Sequence, residues 1–226
     1  MAQLIAVHDN QARYACSGAV IGPDLILTSA HCFDTGHNRW QVVVAGRRYG
    51  VESVGIHKHY RREEVFDAYW NYLLEIRLHN DLALVRIQQP LDPEGRHILA
   101  LRDLGMAHAN PPADETKYYM VGYGQTEHLF GIGEGEGQLR VAGPVDYPAQ
   151  ITPRMQFKNR PEGACLGDSG APLLTHGAQT LVIAAVLSQS DCLGNSTYQR
   201  VTQSDLAPVL YRWGALKKQI AHVIKE

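Results

Sequence analysis

The sequence predicts an all-β chain made of two β halves, and three observations predict it. Short runs rich in Val, Ile, Leu, Thr and Tyr recur along its 226 residues. Gly, Pro, Asp and Asn punctuate them, as in Gly22-Pro23-Asp24 and Gly143-Pro144. A long strand-poor stretch, "RDLGMAHANPPADETK" at 102–117, divides the chain. Many short strands at this spacing point to a barrel or a sandwich.

In order, the first half offers "SGAVI", "LILTS", "WQVVVAG" and "LALVRI" as strands. The second half offers "YYMVGYG", "GQLRVAG", "APLLT", "TLVIAAVLS" and "TYQRV". Two segments read as helices. Trp213, Leu216, Ile220, Val223 and Ile224 recur near a 3.6-residue period, which predicts a closing C-terminal helix. In "REEVFDAYWNYLLEIRLH", 62–79, Val65, Phe66, Tyr69, Trp70, Leu73 and Leu74 cluster by face, which predicts a second helix. "GIGEGEG", 131–137, is not G-x-G-x-x-G and opens no apolar helix, so it reads as a loop rather than a phosphate cradle.

Composition excludes several classes of partner. A net charge of −2 predicts neither nucleic acid nor an anionic membrane surface as partner. No apolar run approaches the about 18 residues of a transmembrane helix. The start, "MAQLIAVHDNQ", has no basic region, long apolar core or cleavage site. The chain therefore reads as cytoplasmic, with a trimmed secreted form as the alternative. Cys16, Cys32, Cys165 and Cys192 form no C-x-x-C pair, which argues against a structural zinc. Their even number points to two disulfides and an oxidising compartment. No cofactor is expected.

The most pointed stretch is "GACLGDSGAPLL", 163–174. A serine hydroxyl is a weak nucleophile and needs a base, a group to orient the base, and donors for a developing oxyanion. A Ser between glycines in a tight turn can aim backbone N–H groups at one spot, here those of Gly167 and Ser169. "LTSAHC" supplies His31 after a strand, and "NDLALVRI" supplies Asp81 before one. Each piece alone has an ordinary explanation, a cap or a turn. Together they are the parts of an acyl-transfer site.

These stretches resemble the trypsin/chymotrypsin-like serine proteases. "CSGAVIGPDLILTSAHC" is similar to that family's Cys-Gly-Gly-Ser-Leu-Ile…Ala-Ala-His-Cys, with Ser17 in place of a Gly. "NDLALVRI" is similar to Asn-Asp-Ile-Ala-Leu, "VGYGQT" to Gly-Trp-Gly-x-Thr, and "CLGDSGAP" to Cys-x-Gly-Asp-Ser-Gly-Gly-Pro. "ITPRMQF" and "RYGVESVGIHKHY" extend the match. The resemblance implies two six-stranded antiparallel β-barrels with the site between them. Residues 1–101 would carry His31 and Asp81, 102–117 would link, and 118–226 would carry Ser169 and the C-terminal helix. It implies a Ser169–His31–Asp81 triad, an oxyanion hole from Gly167 and Ser169, and disulfides Cys16–Cys32 and Cys165–Cys192. The implied activity is a serine endopeptidase acting on a protein or peptide. The rivals are a conditional, zymogen-like protease and a catalytically dead binding module on the same fold.

Three departures from the family pattern shape the expectations. Six residues before the candidate nucleophile, where trypsin-like members carry a pocket Asp, this chain has Gly163, then Ala164. A buried Lys or Arg would have no partner charge there. An uncharged, small-to-medium P1 residue is expected, with Ser188, Ser190 and Ser196 at the pocket walls and Leu166 at its rim. No Arg/Lys-Ile-Val-Gly-Gly occurs, so Asp168, the activation carboxylate by resemblance, needs another partner. The choices are a preceding segment, the internal cation Arg140, or an activating protein. The third departure is the insertion at 61–79, just before Asp81.

Overall fold

A computed structural model of the chain describes residues 1–8, 11–34, 39–67, 69, 73–91, 98–101, 117–126, 128–129, 132–133, 137–145, 154–158, 163–176, 180–201 and 206. The C-terminal helix and nearly all of the 102–117 linker lie outside the described residues.

Eight strands make up the first part. They are β1 (Ala2–His8), β2 (Gln11–Val20), β3 (Leu25–Thr28), β4 (Arg39–Val44), β5 (Arg47–Ile56), β6 (Arg61–Phe66), β7 (Leu73–His79) and β8 (Ala83–Ile87). Six of these close into a barrel in the order β1-β2-β3-β8-β5-β4. Ala45 and Gly46, both at positive φ, form the tight turn between β4 and β5.

The second part contains β9 (Ala100–Leu101), β10 (Tyr118–Gly122), β11 (His128–Leu129), β12 (Ile132–Gly133), β13 (Arg140–Val145), β14 (Arg154–Phe157), β15 (Pro172–His176), β16 (Leu181–Ser190) and β17 (Ser196–Arg200). Its sheet runs β13-β10-β15-β16-β17-β14, with β9 beside β16. The fold is all-β, one closed barrel and a second half-barrel. Ala100 and Leu101, assigned to the first half by sequence, pair in parallel with Val182 and Ile183 of the second. Contact with the first half ends two residues earlier, at Leu99, whose N–H still bonds Val20 O.

Two strands next to the site are buried on both faces, which explains their unbroken apolar runs. Ile26 of β3 and Val85 and Ile87 of β8 fill the barrel with Leu4, Val20 and Val42. Leu25, Leu27 and Leu84 point the other way, onto Val121, Leu174, Ile183 and Val186 of the second part. Each such fully buried side chain stabilises the fold by roughly 1.5–3 kcal/mol. The shared cluster holds the halves together and so fixes what lies between them. A separate core of Tyr118, Phe157, Leu173 and Tyr198 backs the second sheet.

The segment 62–79 is not a helix: it is the hairpin β6–β7, with Glu63 opposite Arg77 and Arg61 opposite His79. The spacing of the charges shows the period. Arg62–Glu64 (3.0 Å) and Glu75–Arg77 (3.0 Å) join residues two apart, which share a face on a strand and face apart on a helix. The run from Leu73 also alternates, with Glu75 and Arg77 exposed, Ile76 half-buried and Leu78 buried. That period of two outweighs the looser clustering of apolar residues. In 131–137, Ile132 and Gly133 are likewise strand, paired with His128 and Leu129.

Candidate active site

The barrel register brings two of the candidate residues to one end. β3 and β8 are antiparallel with Thr28 opposite Ala83, so the residues after Thr28 meet those before Ala83. His31 follows β3 in a 3-10 turn, Ala30–Phe33. Asp81 precedes β8, after Asn80 at φ 48, a left-handed position that Asn tolerates. The Asn80 amide donates to His59 O at 3.0 Å and steadies that corner.

Asp81 is 0% exposed and its carboxylate is well supplied with donors. Oδ1 accepts from the His31 backbone N–H at 2.9 Å. Oδ2 faces His31 Nδ1 at 2.7 Å and accepts from the Ser188 hydroxyl at 2.6 Å. A carboxylate only accepts, so the imidazole proton sits on Nδ1 and leaves the Nε2 lone pair outward. The ring is 22% exposed, open enough to meet a substrate. Ser188, a candidate for the pocket wall, donates this hydroxyl to Asp81.

Ser169 comes from the loop before β15. Asp168 N–H bonds Cys165 O, and Ala171 N–H bonds Asp168 O at 2.8 Å, winding the loop into tight turns. Gly167 and Gly170 both take positive φ, 91° and 80°, which answers why glycines flank Asp-Ser. At Gly170 a Cβ would also collide with Thr28 Oγ1 and Ser17 O. Ser17 N–H donates to Ser169 O at 2.8 Å, so the loop is seated against β2 of the other half. The Ser169 hydroxyl makes no hydrogen bond among the described residues.

Asp168 lies under this loop. Oδ1 accepts from Gly124 N–H at 2.7 Å and Oδ2 from Cys165 N–H at 3.0 Å. Burial pushes its carboxyl above the ordinary range, opposed by those two bonds and by the charge of Arg140. Arg140 reaches it indirectly, through Nη1 donating to Gly124 O at 2.7 Å. A Cβ at Gly122 or Gly124 would overlap the Asp168 carboxylate, so "VGYGQT" keeps both glycines for close approach.

Cys16–Cys32 and Cys165–Cys192 are joined, and no cysteine is free. The first bond lies beside His31, whose ring nitrogen is within 4.8 Å of both sulfurs. Bonded to each other, those sulfurs are not the thiolates a metal takes.

The remaining candidate pocket residues are partly linked to one another. Ala164 is buried in the second core, and its N–H donates to Ser196 Oγ at 3.4 Å. Ser190 pairs with Ser196 across β16–β17. Leu166 is 53% exposed. Gly163 packs on Gly194: a Cβ there would stand 2.9 Å from Gly194 Cα and N.

The family model described as Trypsin matches residues 2–207. The chain belongs to the trypsin family. Membership supports a serine protease-like function. Two features of this trypsin-family chain escaped the sequence reading. Arg154 of β14 donates to Leu78 O, and Gln189 of β16 donates to Ile76 O at 2.7 Å, so the β6–β7 hairpin is tied to the second half. Burial lowers the Arg154 guanidinium, while Asp81 and Glu75 act to raise it. A period-two count over 73–79 finds the strand; nothing in the sequence names its two donors.

Proposed function

We propose that this chain is a serine endopeptidase in which Ser169 is the nucleophile, His31 the base and Asp81 the orienting acid. The observation that carries this reading is Asp81, fully buried and bonded to both the backbone and the ring of His31. It holds the tautomer in which Nε2 is a base. Nε2 takes the Ser169 proton as Oγ bonds to the scissile carbonyl carbon. The carbonyl oxygen becomes an oxyanion, received by the N–H groups of Gly167 and Ser169. The imidazolium, stabilised by Asp81, returns its proton to the leaving amine. Water, deprotonated by the same nitrogen, then releases the acyl group and restores Ser169.

The substrate is a protein or peptide with an uncharged, small-to-medium P1 side chain. Support comes from Gly163, which carries no charge and packs closely on Gly194. Cleavage of a synthetic peptide library, read by mass spectrometry, tests the proposal. The expected result is cutting after small or medium uncharged residues, abolished in Ser169→Ala. Equal cleavage by the variant, or cutting confined to Lys and Arg, contradicts it.

A further inference from the structure

Ser17 departs from the glycine of the motif it resembles, and nothing so far assigns its side chain a task. It is 0% exposed, on β2 of the first barrel. Its hydroxyl donates to Gly167 O at 2.9 Å and accepts from Tyr123 N–H at 3.1 Å. Its backbone is engaged too, with N–H on Ser169 O and its carbonyl accepting from Thr28 Oγ1 at 2.8 Å. One residue of the first half thus reaches both Gly167 and Ser169 of the second.

Two successive N–H groups grip the loop from the other side, and a third reaches it through Ser17. Tyr123 N–H goes to Ser17 Oγ, Gly124 N–H to Asp168 Oδ1, and Gln125 N–H to Leu166 O at 2.9 Å. The last bond fixes the peptide whose N–H belongs to Gly167. The Ser17 hydroxyl fixes the next peptide, through Gly167 O. Gly167 takes a positive φ, and a glycine has little steric restraint on its two dihedrals. With both flanking carbonyls held, its N–H has one direction.

We propose that Ser17 is a positioning residue for the Gly167 peptide, bridging Tyr123 and Gly167 so that the Gly167 N–H is aimed before substrate arrives. This rests on the serine protease reading above. It assigns to an internal hydroxyl of the first barrel part of the ordering of the oxyanion donors. Glycine at this position has no hydroxyl and leaves Tyr123 N–H and Gly167 O without that bridge. Both bonds are part-buried.

The test uses a fluorophosphonate probe whose tetrahedral adduct needs the same donors. The full chain is compared as wild type, Ser17→Gly, Ser17→Ala and Ser17→Thr, with thermal melts confirming folding. Labelling at saturation is separated from probe affinity. Expected is a fall of about tenfold in the saturating rate for the Gly and Ala variants, with probe affinity held and the rate recovered in Thr. That is less than the about 10²–10³ lost when a donor itself is removed. Folded Gly and Ala variants that label at the wild-type saturating rate overturn the proposal. So does a loss confined to probe affinity. Absence of labelling in wild type overturns the protease reading first, and this proposal with it; the wild-type lane alone tells the two failures apart.

Discussion

Ser188 donates its hydroxyl to Asp81 Oδ2 at 2.6 Å, the same oxygen that faces His31 Nδ1 at 2.7 Å. The bond runs from β16 of one half to the mouth of β8 in the other. It fixes which oxygen His31 meets. Hydrogen bonds to a buried charge contribute about 1.5–3 kcal/mol. Ser188→Ala is expected to lower stability by that amount in denaturant melts and to slow Ser169 labelling. A variant equal to wild type in both would show the contact to be idle.

Gly163→Asp imitates the trypsin-like pocket acid in sequence. Here the new Cβ meets the Gly194 backbone at 2.9 Å, before any carboxylate is placed. Backbone cannot swing aside as a flexible side chain does, so overpacking of about 1–3 kcal/mol is expected. The variant should lose stability and gain no cleavage after Lys or Arg, measured with fluorogenic peptides of matched sequence. Efficient cleavage after Arg would refute the close packing of Gly163 on Gly194.

Asp168 makes a pH-dependent prediction. Burial raises its carboxyl in the folded chain above the ordinary 3.8. As pH rises, the unfolded chain therefore loses this proton first. The contribution is fully present below about 3.8 and is lost as pH climbs through the higher folded value. Asp168→Asn has no such loss, so its stability relative to wild type should increase from pH 4 to pH 7 in urea titrations. Labelling should fall in the same variant, because one amide oxygen cannot accept from both Gly124 and Cys165. Parallel stability curves for the two proteins would contradict the buried-carboxylate account.

Arg154 and Gln189 tie the β6–β7 hairpin to the second half through Leu78 O and Ile76 O. The hairpin forms a separate two-stranded sheet, and its own ion pairs are exposed and worth little. Replacing both residues by Ala should speed amide hydrogen exchange across 73–79 by about tenfold or more, with the barrel strands unchanged. Unchanged exchange at 73–79 would mean that other contacts hold the hairpin.

The residues that were legible in the sequence are those with a local reason to be there. "LILTS" and "LALVRI" announce strands buried on both faces, and His31 and Asp81 lie at their ends. The two glycines around Asp-Ser announce a turn with positive φ. The hairpin at 61–79 misread because its apolar residues cluster by face, while its decisive signal is charge pairing two residues apart. Ser188, Ser17, Arg154 and Gln189 were illegible for another reason. Each acts on a partner more than 70 residues away in the chain, and only the apolar cluster between the halves brings the pairs together.

The most direct test of the account is the intact mass of the chain after exposure to a fluorophosphonate, for wild type and Ser169→Ala. The account predicts one adduct per wild-type chain, mapped to Ser169, and none on the variant. An unlabelled, fully folded wild type, or equal labelling of the variant, would contradict it.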